Sequence, residues 1–328
     1  MSKQPWAVAL AIAGGLSLAA QDTARPDTSP HTVKFITADT DVKLEVLDWG
    51  GSGRPLVLLT GLGDNAHVFD KFAQKLTGTY HVYGITRRGF GASSSPASGY
   101  SADRLGDDVL AVVDLLKLEK PILAGHSIAG EELSSIGSRH PGKVGGLIYL
   151  DAGYSYAYYD RSRGDLLIDL YEFERKLAHL HPGSETNDQW ALLRELLETS
   201  LPRFEKALRE LQKAMNQEPR LPDPPRRVTA AMSAIMAGLQ KYTEINVPIL
   251  AIYALPHDMS WAFKDDPTAR SVAEARDTER TGAQARAFET GLPSARVVRL
   301  AGADHYVFQS NEADVLREMN AFISTLPK

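Results

Sequence analysis

Ser127 is the residue of this sequence best placed to do chemistry. It stands in Pro121-Ile-Leu-Ala-Gly125-His126-Ser127-Ile128-Ala129-Gly130, between a strand-like apolar run and a helix-like segment. This is a G-x-S-x-A version of the G-x-S-x-G turn, so tight that the positions two before and two after the serine need small residues. Gly125 and Ala129 meet that need. Such a turn lifts the hydroxyl clear of the sheet edge and sets it over the N-terminus of the next helix. Unpaired N–H groups and the helix dipole there favour a developing negative charge. The chemistry would be attack of the serine on a carbonyl. Taken alone, the pentapeptide is equally well a helix N-cap.

A turn of this kind needs a strand before it and a helix after it, and the chain supplies an alternation of both. Thr32 to Thr37, Val42 to Trp49, Leu56 to Leu59, His81 to Ile85, Pro121 to Ala124, Val144 to Leu150, Val247 to Tyr253 and Ala295 to Leu300 have strand character. Helical stretches fall at about Ala66 to Leu76, Ala102 to Leu116, Ile128 to Arg139, Ser271 to Glu289 and Glu312 to Thr325. Alternating strands and helices predict βαβ units in a doubly wound, mostly parallel eight-stranded α/β sheet. The first two strands have no helix between them, which predicts an antiparallel edge. From Tyr154 to about Thr243 only helical periodicity remains, carried by Leu166, Leu170, Phe173, Leu177 and Leu180, then by Leu193 to Met215, then by Val228 to Leu239. Pro202 is expected to kink or divide the second stretch, and Leu221 to Pro225 to break the chain after it. The core domain is thus read as 21–153 and 244–328, with 154–243 as an inserted helical cap.

With its serine turn between strand and helix, the chain resembles the α/β-hydrolase superfamily over nearly all of its length after the leader. Thr60-Gly61-Leu62 follows the third strand where the superfamily has His-Gly and then an oxyanion-hole donor. The resemblance implies that Leu62 and Ile128 lend backbone N–H groups to that hole; Thr60 in place of histidine leaves backbone donors intact. Arg87-Arg88-Gly89-Phe90-Gly91-Ala92-Ser93 is similar to the family's structural glycine-rich turn. Members run serine, then acid, then histidine. This implies His305, in Gly302-Ala-Asp304-His305-Tyr306, as the general base. The acid is expected at Asp258, after the seventh strand, with Asp151 at the end of the sixth as the alternative and Asp160 a weaker third. His126 flanks the nucleophile and shapes the turn or meets substrate. Tyr154 and Tyr156, opening the insertion, line the pocket or simply pack cap against core.

The expected reaction is hydrolysis of a carboxylic ester, of carboxylesterase type, through an acyl-enzyme on Ser127. The substrate would be a small molecule with an apolar or aromatic part, matching the apolar cap. The same triad acting on an amide, a lactone or a C–C bond is the alternative, as is a hydrolase-fold binding protein without turnover. No P-loop, dinucleotide fingerprint or H-E-x-x-H is present, so no cofactor and no metal are expected. Serine at the turn argues against the dehalogenases and epoxide hydrolases of this fold, which use aspartate there. A net charge of -5 without a long basic run argues against nucleic acid, and the absence of cysteine excludes disulfides and thiolate chemistry. Lys3, the apolar run Trp6 to Leu18 and Ser17-Leu18-Ala19-Ala20 read as a signal peptide over 1–20. The apolar run falls short of a bilayer span, so a periplasmic or secreted protein with no stable membrane anchor is expected.

Overall fold

The computed structural model describes residues 30–181, 183, 186–215 and 228–327. The expected signal peptide, nearly all of the leader after it and the break at Leu221 to Pro225 lie outside the described residues. Eight strands form one sheet: β1 (Thr32–Asp39), β2 (Val42–Gly50), β3 (Pro55–Leu59), β4 (His81–Ile85), β5 (Ile122–His126), β6 (Gly146–Leu150), β7 (Ile249–Ala254) and β8 (Ala295–Leu300). Their order is β1-β2-β4-β3-β5-β6-β7-β8. The β1–β2 and β2–β4 pairs are antiparallel and every later pair is parallel. Parallel neighbours need crossover connections, and α2 (Ala102–Leu115), α3 (Ala129–Arg139) and α8 (Pro267–Gly291) supply them on one side. On the other lie α1 (Asp70–Leu76), the short α9 (Val307–Ser310) and α10 (Glu312–Ser324).

The two covered faces explain the unbroken apolar runs. Successive strand residues point to opposite faces, so a strand sandwiched between helix layers must be apolar at every position. Leu56 and Leu58 enter the core with Phe72, Val315 and Met319, while Val57 and Leu59 enter the other with Leu105, Val109 and Leu133. Each such buried side chain stabilises the fold by about 1.5–3 kcal/mol. β1, at the edge of the sheet, is largely exposed, with Val33 and Phe35 in solvent.

Between β6 and β7 come α4 (Leu166–Ala178), α5 (Asn187–Glu195), α6 (Leu201–Met215) and α7 (Ala230–Ala237). Asp165 caps α4 by accepting from the Leu167 and Ile168 N–H groups, and Thr186 caps α5. The expected break at Pro202 takes the form of a π-helical turn over Leu196–Ser200, just before the proline that cannot donate into the helix ladder. Phe173 stacks on Phe204 at 5.8 Å, joining α4 to α6. The insertion is closed at its base: Tyr159 N–H donates to the Tyr242 carbonyl at 2.8 Å, and Asp169 accepts from Tyr159 at 2.6 Å and pairs with Lys241 at 2.7 Å. No helix among the described residues is long and apolar enough to cross a membrane.

Candidate active site

Ser127 leaves the end of β5 with φ +54°, a left-handed conformation that costs a non-glycine residue about 1–3 kcal/mol. The strain is held by its N–H donating to Leu150 at 3.2 Å and its carbonyl accepting from Gly130 at 3.0 Å. Small residues are needed as expected: a Cβ at Gly125 would lie 3.0 Å from Ala129 Cβ, and one at Gly130 only 2.1 Å from the Ala152 carbonyl oxygen. The second contact presses the elbow helix onto the loop that follows β6. That loop begins with Asp151, itself at φ +47° and fully buried.

Three side chains meet across these loops. Ser127 Oγ lies 2.9 Å from His305 Nε2, and His305 Nδ1 lies 2.6 Å from Asp151 Oδ2. An ionised carboxylate only accepts, so Nδ1 carries the proton and Nε2 presents a lone pair to the serine hydroxyl. The expectation that Asp258 is the carboxylate on His305 is corrected to Asp151. Asp258 turns away from the sheet, half exposed, and accepts from Ser260 N–H and Oγ at 2.8 Å each and from Arg270. The residue after β7 that points inward is its neighbour, the buried His257.

His257 was not singled out by the sequence reading, nor was Asp277. His257 Nε2 is 2.8 Å from the same Asp151 Oδ2, and its Nδ1 is 2.9 Å from Asp277 Oδ2. Asp151 also accepts at Oδ1 from the Tyr154 hydroxyl at 2.9 Å and from Ala254 N–H at 3.1 Å. Burial by itself would raise the Asp151 carboxyl, but the His257 charge and then the hydrogen bonds of both histidines hold it far below the usual carboxylate range. Burial would likewise lower His257, but Asp151 and then Asp277 push it up to about 10. Asp151, His257 and His305 form a group whose ligand-type atoms lie within 4.8 Å of one another. Both nitrogens of His257 are already engaged by carboxylates, Asp277 at Nδ1 and Asp151 at Nε2.

The sign of the pH dependence follows. A histidine raised on folding stabilises the protein fully below its ordinary value of 6.5, and that contribution is lost as pH rises toward about 10. Asp151 and Asp277, both lowered, contribute above the ordinary carboxylate range and lose that contribution on acidification. The Tm difference between wild type and His257→Gln is expected to shrink from about pH 7 to about pH 10 by scanning calorimetry. A difference that stays constant over that range would mean His257 carries no charge.

The other expected site residues are accounted for in turn. Tyr156 is buried and its hydroxyl pairs with Ser127; burial and then the Asp151 charge push it well above the usual phenol range, so it stays neutral. Tyr154 spends its hydroxyl on Asp151. His126 is fully buried, with Nε2 3.0 Å from the His305 carbonyl oxygen and its ring 4.6 Å from the His305 and Tyr306 rings, so it ties the elbow to the histidine loop. Ile128 follows the serine and is buried, and Leu62 is half-buried in the loop after β3. That loop touches the elbow: a Cβ at Gly61 would lie 2.8 Å from His126 Nδ1. Arg87, in the glycine-rich turn, donates to the Thr60 carbonyl at 2.8 Å and the Gly61 carbonyl at 3.2 Å, and its Nε pairs with buried Glu132 on α3.

Comparison with known proteins agrees with this fold. The alpha/beta hydrolase family model matches residues 56–318. The AB hydrolase superfamily protein YisY of Bacillus subtilis is 34% identical over 152 residues, which are 43% of this chain and 56% of that protein. The match to a putative non-heme haloperoxidase of a Mycobacterium phage spans 40% of that relative, so these two similarities take in about half of the relatives' length. A 2-(acetamidomethylene)succinate hydrolase of Mesorhizobium japonicum is 22% identical over 83% of this chain and 89% of its own. A crystal structure of E-2-(acetamidomethylene)succinate hydrolase superposes with a TM-score of 0.55 at 20% identity, covering 90% of this chain and 99% of that one. A thermophilic esterase from Thermogutta terrifontis gives 0.56 at 18% identity, covering 90% and 98%. With the family model running from β3 into the last helix, and a serine turn at the carboxyl edge of an eight-stranded sheet in this order, the chain belongs to the alpha/beta hydrolase family.

Proposed function

We propose that this hydrolase cleaves a carboxylic ester through an acyl-enzyme on Ser127, with His305 as general base and Asp151 as the acid that orients it. The observation that carries the reading is the unbroken hydrogen-bonded chain from Ser127 Oγ through His305 to buried Asp151. His305 Nε2 takes the serine proton as Oγ attacks the carbonyl carbon, while Asp151 fixes the tautomer and stabilises the imidazolium that forms. The N–H groups of Leu62 and Ile128 receive the oxyanion. His305 then protonates the leaving alcohol, and water, deprotonated by the same nitrogen, releases the acid. The cap closes over the serine and favours an apolar or aromatic substrate part. Export under the apolar N-terminal segment belongs to the same reading.

A second reading, an amide as substrate for the same residues, is supported by the similarity over most of the chain to a hydrolase whose named substrate carries an acetamido group. A panel of p-nitrophenyl esters and matched anilides tests both. Ester turnover with a loss on the order of 10⁶ in Ser127→Ala is expected. Turnover of anilides alone would replace the first reading with the second. No turnover of either, with tight binding of an ester analogue, would mark a binding protein.

A further inference from the structure

Beyond His305, Asp151 has a second histidine on the same oxygen. The proton inventory around that histidine is fixed by its neighbours. The Asp151 side chain accepts from the Tyr154 hydroxyl and Ala254 N–H at Oδ1, and its Oδ2 faces both His305 Nδ1 and His257 Nε2. Asp277 accepts from His257 N–H and Nδ1 at Oδ2, both at 2.9 Å, and from Thr281 Oγ1 at Oδ1, also at 2.9 Å. Both carboxyls are held below the ordinary carboxylate range, so both are ionised at neutral pH. A neutral imidazole has one N–H and would set its other nitrogen, lone pair first, against a carboxylate oxygen. The ring of His257 must carry protons on both nitrogens.

On that basis, and resting on the reading of Ser127, His305 and Asp151 given above, we propose that His257 is a positioning residue protonated throughout the neutral pH range. Asp277 holds it there. It keeps Asp151 an ionised acceptor for His305 and sets the pH range in which the base is free. The relay is thus five residues long: Ser127, His305, Asp151, His257 and Asp277. The groups facing His257 are Asp151 at the end of β6, Tyr154 just beyond it with its hydroxyl 3.3 Å from Nε2, Asp277 on α8, and the His305 ring at 6.3 Å. With His305 neutral these groups carry two negative charges and one positive. When His305 accepts the serine proton, the buried set becomes neutral overall, so the transition state is reached without adding net charge to a dry interior. Removing the imidazolium leaves the full field of Asp151 on His305, so the acidic limb of activity is expected to move to higher pH.

Two measurements test the inference separately from the hydrolase reading. The first is ¹⁵N NMR of the imidazoles in full-length Ser127→Ala protein, which needs no turnover. Both His257 ring nitrogens are expected to bear protons from pH 6 to pH 8, and one unprotonated nitrogen near pH 7 would overturn the proposal whatever the enzyme does. The second is the pH profile of kcat/KM on a p-nitrophenyl ester. His257→Gln is expected to move the acidic limb up by about one pH unit or more, given a unit charge at this range in a partly polarisable interior. Since that variant leaves two buried carboxylates and one less cation, His257→Gln with Asp277→Asn is measured beside it, a pair that keeps the buried charge balanced and the fold intact. The same upward movement in the pair is the expected result. A profile that coincides with wild type in a folded double variant overturns the proposal.

Discussion

Asp151→Asn is expected to lower kcat on a p-nitrophenyl ester by about 10⁴ while the protein remains folded. The amide can still occupy the site, but it offers His305 Nδ1 no reliable acceptor and no negative charge, so the ring loses the tautomer that presents Nε2 to the serine. Asp258→Asn is expected to stay within about twofold of wild type, because that carboxylate is half exposed and serves only a local turn with Ser260 and Arg270. The two variants are read side by side under identical conditions. A loss confined to Asp258→Asn would return the acid to the loop after β7.

The second large effect concerns Arg87, a residue outside the triad. Its guanidinium is buried between Glu132 on the elbow helix and the carbonyls of Thr60 and Gly61, so one side chain ties the nucleophile's helix to the loop that presents Leu62. Arg87→Met leaves Glu132 as a buried charge without its partner and is expected to cost about 3–5 kcal/mol of stability by chemical denaturation. Combining it with Glu132→Leu removes both charges and is expected to recover most of that stability, since an apolar pair of similar volume often replaces a buried ion pair without loss. Activity should not recover with it. A loop released from Arg87 misplaces a backbone donor, and a displacement of about 1 Å is enough for a loss on the order of 10². Normal kcat in the stable double variant would confine Arg87 to holding the fold.

Much of this arrangement is legible in the residues. The strands announce themselves because a sheet covered on both faces forces continuous apolar runs such as Leu56 to Leu59, and the serine turn announces itself because its sterics demand Gly125 and Ala129. The cap helices are equally plain in the leucine spacing. Boundaries shift where capping decides them: Asp266 accepts from Ala269 N–H and Pro267 starts the helix, so α8 begins four residues before the apolar pattern suggests. β5 runs on through His126, two residues beyond the apolar run, which places that ring at the turn beside His305.

Asp151 as the carboxylate beside His305 was not legible for a geometric reason. Asp151 and Asp258 both follow strands of the same sheet, and residue type cannot say which of two neighbouring loops turns its side chain toward His305. Asp151 has a left-handed backbone, which aspartate adopts only occasionally, so the residue type alone does not announce it. Pro256-His257-Asp258 offered a histidine and an aspartate side by side, and a one-residue difference in direction buries the first and exposes the second. Asp277 was further from view, because it lies twenty residues along on a helix and meets His257 only in the folded chain.

Ser127 is expected to form a covalent acyl intermediate during turnover. This is tested most directly by reacting the full chain with a p-nitrophenyl ester, quenching in acid within the first turnovers, and reading the intact mass followed by peptide mapping. The predicted result is one acyl group on the peptide carrying Ser127, persisting longer in Asp151→Asn and absent in Ser127→Ala. An adduct on another residue, or ester turnover undiminished in Ser127→Ala, would contradict it.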